Sequence, residues 1–152
     1  MFRLLLACFL LFPLWSLAAE APATQTVRFE TVNVYIDSGD HPLAAWQVEL
    51  KATQGDVKIV GVEGGDHRDL YRDPPYYDPK ALTAGRIILA SYTTADTAPK
   101  GKTLVARVHL RVFGDFRLSI TPMAAAGPTG QSIPTTASTA NAPTTSTPKD
   151  KE

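Results

Sequence analysis

An alternation of apolar and polar side chains from Ala106 to Val112, within the segment Leu104–Val112, most constrains the fold of this chain. Every even position in the segment is apolar, whereas Arg107, His109 and Arg111 occupy odd positions. Successive side chains of a β-strand point to opposite faces, so this segment has one face for a core and one for water. The pattern predicts a half-buried strand in a sheet that is covered on one side.

Further segments repeat the strand pattern. Trp46, Val48 and Leu50 alternate with polar residues, which predicts a second half-buried strand with Trp46 pointing inward. Additional strands are predicted at Val57–Glu63, Gly85–Thr93 and Phe116–Thr121, with turn residues at Gln54–Asp56, Pro99–Gly101 and Gly114–Asp115. No segment from Val27 to Thr121 has a sustained helical period, so we expect an all-β sandwich with jelly-roll topology.

The first predicted strand contains a change of parity. Val27 and Phe29 occupy odd positions, whereas the apolar residues from Val32 onward occupy even ones. A β-bulge near Glu30–Thr31 would bring both sets onto one core face, because a bulge adds one residue to the strand. We therefore expect a bulge or kink at this point.

The first 19 residues have the composition of a signal peptide. Arg3 precedes an apolar run over residues 4–17, and the small residues Ala18 and Ala19 follow it. The run is shorter than the roughly 20 residues that a bilayer-spanning helix needs, which favours cleavage after Ala18 or Ala19 over a retained anchor. A secreted, periplasmic or cell-surface location is expected, with no membrane insertion after cleavage.

Composition divides the remainder into one domain and a tail. Residues 26–122 suffice for one domain with one core. Residues 123–152 are rich in Thr, Pro, Ala and Ser, which predicts a disordered tail. We interpret the tail as a solvated terminus, with a linker or an O-glycosylated surface as the alternative. The single cysteine, Cys8, lies in the predicted signal peptide, so neither a disulfide nor a thiol nucleophile is expected in the mature chain.

Charge and motif content argue against several function classes. The 15 basic and 15 acidic side chains balance, which is unlike the positive footprint of a nucleic-acid binder. The sequence has neither a Gly-x-Ser-x-Gly elbow nor a phosphate-binding loop, so an enzyme is not expected. The three histidines lack the spacing of a zinc site. We predict no cofactor.

Two surfaces are candidates for recognition. The first is the loop from Asp66 to Asp78, and its candidate binding residues are Asp66, Asp69, Tyr71, Asp73, Tyr76 and Tyr77. The second is the polar strand face that carries Arg107, His109 and Arg111. Aromatic side chains on a rigid scaffold dominate interface energetics, which favours the loop. The alternative is that Leu70, Tyr71 and Tyr76 close one edge of the core and that the charges of both surfaces are simply solvated.

The acidic residues of the loop raise the question of calcium. Asp66, Asp69, Asp73 and Asp78 could supply oxygen ligands, but their spacing differs from that of a helix-loop-helix calcium site. Nearby arginines can neutralise the same carboxylates. We therefore assign no metal site and retain a calcium-dependent surface adhesion module as the last of the functional alternatives.

The order of the predicted segments resembles that of the cohesin-like domains. The similar pieces are Thr31–Asp37, Leu43–Leu50, Val57–Gly65, Gly85–Ala90 and Thr103–Leu110. In that family an aromatic residue precedes an alternating segment, the next strand ends in glycines, and a later strand begins with glycine. The resemblance covers Val27 to Thr121 and implies the jelly-roll sandwich that cohesins share with certain cellulose-binding modules.

The same resemblance implies a secreted, non-catalytic binding or scaffolding module. Members of the family bind the dockerin modules of secreted glycan-degrading assemblies, or bind polysaccharide. An extracytoplasmic protein partner is therefore the first expectation, and carbohydrate binding is the alternative. The family receives its partners on a sheet face of the kind that carries Arg107, His109 and Arg111.

Overall fold

A computed structural model describes residues 26–142, in which the chain forms five antiparallel strands and one 3-10 turn. The strands are β1 (Val27–Asp37), β2 (Ala45–Gly64), β3 (Arg86–Tyr92), β4 (Lys102–Ala126) and β5 (Thr136–Asn141), and the turn is Pro79–Ala81. Their order across the hydrogen-bonded sheet is β3-β2-β4-β1-β5. The prediction of an all-β fold is confirmed.

The two long strands β2 and β4 connect the halves of the sandwich. They pair from Ala45 opposite Ala126 to Gly64 opposite Ala106, with register shifts between Ala52 and Asp56. At these shifts the buried positions of β2 change from even to odd numbers. Residues 46–50 and residues 57–59 of β2 therefore turn positions of different parity toward one common core, and a further register shift between Ile59 and Gly61 returns the core face to even positions. The strands predicted on either side of Gln54–Asp56 are thus two halves of a single bent strand.

A glycine makes this bend possible. Gly55 has a φ of +89°, a conformation that residues with a side chain rarely adopt. A Cβ atom at this position would lie 2.3 Å from the carbonyl oxygen of Asp115 on β4. The close approach of the two backbones at the bend therefore requires glycine.

Side chains from both halves meet in one core. Its largest fully buried members are Val32, Val34, Ile36, Leu43, Val48, Leu50, Ile59, Ile87, Leu89, Val105, Val108 and Leu110. Trp46 is 2% exposed and packs edge-to-face on Tyr71, with ring centroids 6.2 Å apart and an interplanar angle of 82°. The prediction that Trp46 points inward is confirmed.

The predicted bulge near Glu30–Thr31 is wrong. Glu30 pairs with Leu110 and Thr31 with His109 in regular register, and the irregularity of β1 lies between Val34 and Tyr35. Because the alternation continues without interruption toward the start of β1, the odd positions stay on the outer face. Phe29 is consequently 73% exposed.

The region predicted as a tail contains ordered structure, so the predicted start of disorder at residue 123 needs correction. Strand β4 extends to Ala126, Ile133 is buried, and β5 pairs with β1 from Thr136 opposite Asp37 to Asn141 opposite Val32. Backbone hydrogen bonds order this segment, although its side chains are too small and polar to indicate a core strand. Residues 143–152 and the predicted signal peptide lie outside the described residues.

Candidate functional site

One layer of the sandwich presents a continuous outer sheet face, formed by the outward side chains of β2 from Asp56 to Glu63, β4 from Arg107 to Phe113 and β1 from Val27 to Asn33. The register places Glu63, Arg107 and Asn33 in one row across the strands, and Asp56, Phe113 and Val27 in the row at the other end. Arg107, His109 and Arg111 all lie on this face, as the alternation predicted, and each side chain is about one-third exposed.

His109 is held at the polar end of the outer sheet face. Its Nε2 lies 2.9 Å from Oε1 of Glu63, and its Nδ1 lies 3.0 Å from Oγ1 of Thr31. The ring covers Gly61, where an added Cβ would come within 3.3 Å of the imidazole. A hydrogen bond at each ring nitrogen fixes the orientation of the imidazole, so His109 forms a polar network with Glu63 and Thr31.

The loop and the sheet face join at this end. Arg107 donates to the carbonyl oxygen of Gly64 over 3.1 Å and to the carboxylate of Asp66 over 2.9 Å. Asp73 accepts from the backbone N–H of Gly64 over 2.7 Å and pairs with Arg68 over 3.1 Å. The candidate residues Asp66 and Asp73 therefore contact basic groups and the backbone of this protein, and the two predicted surfaces are linked at one edge.

The opposite end of the outer sheet face is apolar. Val27, Phe29 and Phe113 are all exposed, with Val27 directly opposite Phe113 and Phe29 directly opposite Arg111. Arg111 is only loosely paired, since its guanidinium lies 4.0 Å from the Asp56 carboxylate. Sequence reasoning missed this apolar group because it placed Val27 and Phe29 in the core. The parity change in β1 was the signal that could have revealed it.

Tyr71 belongs to the core and is not on a binding surface, contrary to the prediction. Its side chain is buried against Trp46, and its hydroxyl donates to the carbonyl oxygen of Leu43. Burial raises the pKa of that hydroxyl. Tyr77 is half-buried and packs against the core cluster. These two aromatics anchor the loop to the sandwich. Tyr71 thus has the core-closing role that the alternative gave it, whereas Tyr76 does not, because it is exposed.

Tyr76, in contrast, is 44% exposed and forms a parallel pair with Tyr92 of β3. Their ring centroids lie 6.2 Å apart with an interplanar angle of 3°, and the Arg72 guanidinium sits 4.4 Å from the Tyr76 centroid. The Tyr76 backbone exchanges two hydrogen bonds with Ala90, of 2.8 and 3.0 Å, and so covers part of the edge of β3. Sequence reasoning missed Tyr92 because it precedes Thr93 at the end of a strand, far from the loop in sequence.

The acidic residues of the loop do not converge on a metal site. Asp66 and Asp73 contact arginines, whereas Asp78 accepts from the backbone N–H of Lys80 and caps the 3-10 turn. Within residues 26–142 no group of three or more His, Cys, Asp or Glu side chains is placed to hold a metal ion. The same span has no helix that is long and apolar enough to cross a bilayer.

Comparisons with known proteins relate the chain through its fold. Neither a family model nor a curated protein matches the sequence. A chain from the crystal structure of the CaDoc0917–CaCohA2 complex, a cohesin–dockerin complex, is similar with a TM-score of 0.54 and 16% sequence identity. The match covers 70% of this chain and 82% of that chain. The chain is thus an all-β sandwich with the jelly-roll fold of a cohesin-like domain.

Proposed function

We propose that this chain is an exported, non-catalytic module that binds a protein partner through the outer sheet face. The observation that carries the proposal is Phe29, a large aromatic side chain that is 73% exposed within a regularly paired strand. Exposed apolar groups on an ordered surface mark interaction sites, and aromatic side chains are frequent anchors of protein interfaces. Val27 and Phe113 extend the apolar group around this anchor.

The composition of the face favours a protein over a small ligand. Three paired strands present a broad surface, whereas sites for small molecules are concave and enclose most of their ligand. An apolar centre beside charged groups such as Arg111 and Lys58 has the composition of a protein interface with a polar rim. The similar structure comes from a complex of two proteins, which supports the same assignment.

The carboxylates at the polar end support a non-catalytic role. Glu63 contacts His109, Asp66 contacts Arg107, and Asp73 contacts Arg68. Glycosidic hydrolysis needs two carboxyl groups that flank the glycosidic bond, and one of the two acts as the general acid. These three carboxylates instead each lie against a basic side chain, an arrangement that stabilises the loop on the sheet.

The proposal can be tested with the Phe29→Ser substitution. The mature chain would be immobilised to capture partners from the secreted proteins of its source organism, and the affinity of the captured protein would be measured. Loss of a hot-spot aromatic costs about 2 kcal/mol or more, so we expect a loss of affinity of about 30-fold. The matched control is Met123→Ser, since Met123 is an exposed apolar residue outside the outer sheet face. Equal affinity of the parent and the Phe29 variant would refute the assignment.

A further inference from the structure

Strand β5 covers only part of the edge of β1. It pairs with β1 from Asp37 to Val32. A further bond runs from the backbone N–H of Ala142 to the carbonyl oxygen of Thr31 over 2.8 Å. Within residues 26–142 no strand continues this pairing beside Val27–Glu30, although these residues pair with β4 on their other side. We call this uncovered segment the free edge of β1.

The free edge presents backbone hydrogen-bonding groups. In an antiparallel sheet, successive residues of a strand bond alternately to its two neighbours. The carbonyl oxygen of Thr31 points to the β5 side, so the N–H and C=O groups of Val27 and Phe29 point to that side as well. A strand edge of this kind is a template for pairing with another chain. Phe29 therefore offers a partner both its exposed ring and its backbone.

Both sides of the free edge have room for further side chains. On the outer side, the apolar side chains of Val27 and Phe29 are exposed. On the inner side lies an open depression of about 480 Å³, whose lining includes Arg28, Glu30, Phe116, Arg117 and Asn141. Since the side chains of a strand alternate between the two sides of a sheet, an added strand would meet an apolar surface and a charged depression in turn.

From this arrangement we infer that the free edge of β1 binds an extended segment of the protein partner as an added antiparallel strand. The segment follows the direction of β5, with apolar residues opposite Val27 and Phe29 and polar residues opposite Arg28 and Glu30. Backbone bonds hold such a segment, and the alternation selects its sequence. The inference rests on the proposed function, since Phe29 belongs to both, and it adds that the partner is recognised through its backbone.

Two other occupants fit the free edge less well. A second copy of the chain would pair through its own free edge, related by a two-fold axis. An axis at Phe29 would place Val27 of the copy opposite Thr31, where Ala142 already lies. An axis at Arg28 would place two arginines directly opposite each other, which is destabilising. Residues 143–146 of the chain itself are Pro, Thr, Thr and Ser, without a large apolar side chain to cover Phe29.

The experiment is an NMR titration of the mature chain with a blocked synthetic peptide, Lys-Thr-Val-Thr-Val-Thr-Lys, which has the inferred alternation. We expect saturable shifts of the Val27 and Phe29 backbone amide signals. Solvent exchange of the Phe29 amide proton should slow at least about fivefold near saturation, because a bonded amide exchanges only from the free chain.

N-methylated peptides separate backbone pairing from side-chain contact. The valines lie opposite Val27 and Phe29, so their N–H groups point to β1, whereas those of the threonines point away. Methylation of the valine nitrogens should weaken binding at least about tenfold, since it removes two hydrogen bonds. Methylation of the threonine nitrogens is the matched control and should leave the affinity close to that of the parent peptide.

The Val27→Pro variant tests the same point from the side of the protein. Proline removes the N–H that faces the free edge and leaves the bonds to β4 in place. Val27→Ala, the matched control, shortens the side chain but keeps the N–H. We expect the peptide to bind Val27→Pro at least about fivefold more weakly than Val27→Ala. An unchanged melting temperature would verify that the sandwich is intact, and the methylated peptides decide the point if the variant is less stable.

Other results would overturn the inference. These are unchanged Val27 and Phe29 signals, or equal binding of the two methylated peptides. Slow exchange of the Phe29 amide in the free monomer would assign the free edge to the chain's own residues. Slow exchange that appears only as a dimer forms would assign it to a second copy.

The proposed function fails by a different measurement. Unchanged affinity of Phe29→Ser for the captured protein would refute it. If Phe29→Ser loses that protein while Val27→Pro and Val27→Ala bind it equally, the outer sheet face remains the binding surface and only the added strand is wrong.

Discussion

At the scale of single residues, Tyr71 joins the loop to the core through two contacts of different kinds. Its ring packs edge-to-face on Trp46, and its hydroxyl donates to the carbonyl oxygen of Leu43. The hydroxyl is thus needed in its protonated, donating form. The loop aromatics divide accordingly into Tyr71, which stabilises the fold, and Tyr76, which remains available at the surface.

The Tyr71→Phe variant should reveal this role through pH. At neutral pH we expect a loss of about 1 to 3 kcal/mol in the free energy of unfolding, because the Leu43 carbonyl loses a buried partner. Above about pH 10 the unfolded parent ionises Tyr71 while the folded parent, whose Tyr71 pKa is raised, does not. The parent therefore loses stability there as pH rises, and the variant lacks this loss.

The measurement is denaturant unfolding of the parent and Tyr71→Phe at neutral pH and at about pH 11. The stability difference between the two chains should shrink at the higher pH. A difference that stays constant across this range would mean that the Tyr71 hydroxyl ionises equally in both states, and the buried donor role would be wrong.

At the scale of elements, the end of β2 lies unusually close to β4. A Cβ atom added at Gly65 would lie 1.8 Å from the carbonyl oxygen of Leu104, which is backbone and cannot rotate away. The next residue, Asp66, donates its backbone N–H to that same oxygen over 3.1 Å. Glycine at this position therefore lets β2 pass into the loop while Asp66 stays within reach of Arg107.

The Gly65→Ala substitution should consequently destabilise the fold strongly. We expect a loss above about 3 kcal/mol, at the upper end of single substitutions, because backbone must shift to remove the clash. Gly39→Ala is the control for backbone strain without a clash: Gly39 has a φ of +55°, which Gly65 does not share, and an added Cβ there would meet no atom within 4 Å. Its expected loss is about 1 kcal/mol. Thermal melting of both variants would show the difference, and similar melting temperatures would contradict the close approach.

At the scale of the whole molecule, alternation in the sequence predicted the core strands but not the edge strand β5 or the outer face of β1. The buried parity of Ala106 to Val112 and of Trp46 to Leu50 follows from period two alone. Val105 is also buried, at an odd position opposite the register shift between Val34 and Tyr35. Strand β5 could not be predicted, since it is ordered only by backbone pairing with β1, which is distant in sequence. At Phe29 the rule that apolar residues lie inside failed, because the regular pairing of β1 with β4 turns this side chain to the outer face.

Site prediction failed where it depended on contacts distant in sequence. The sequence of the loop alone does not distinguish Tyr71, which is buried, from Tyr76, which is exposed. The pairing of Tyr76 with Tyr92 depends on how the loop lies along β3. The ion pair between Asp66 and Arg107 likewise depends on the register of β2 against β4.

Charge balance across the molecule leads to a last prediction about the proposed protein partner. The chain has 15 basic and 15 acidic residues, and Arg107 on the outer sheet face already pairs with Asp66. Long-range steering by a net field is therefore weak, and binding centred on Phe29 should depend mainly on apolar burial. We expect the association rate to change by less than about tenfold between low and high salt, because salt screens charge and not apolar contact.

The Asp56→Lys variant provides the contrast. It removes the carboxylate nearest Arg111 and places a second positive charge beside Phe113, which pairs opposite Asp56. A basic cluster then adjoins the apolar end, so association should become more sensitive to salt than in the parent, in a direction set by the charge of the partner. Association rates from surface plasmon resonance at several salt concentrations would measure this. A steep salt dependence in the parent itself would show that charged groups, and not Phe29, govern the encounter with the partner.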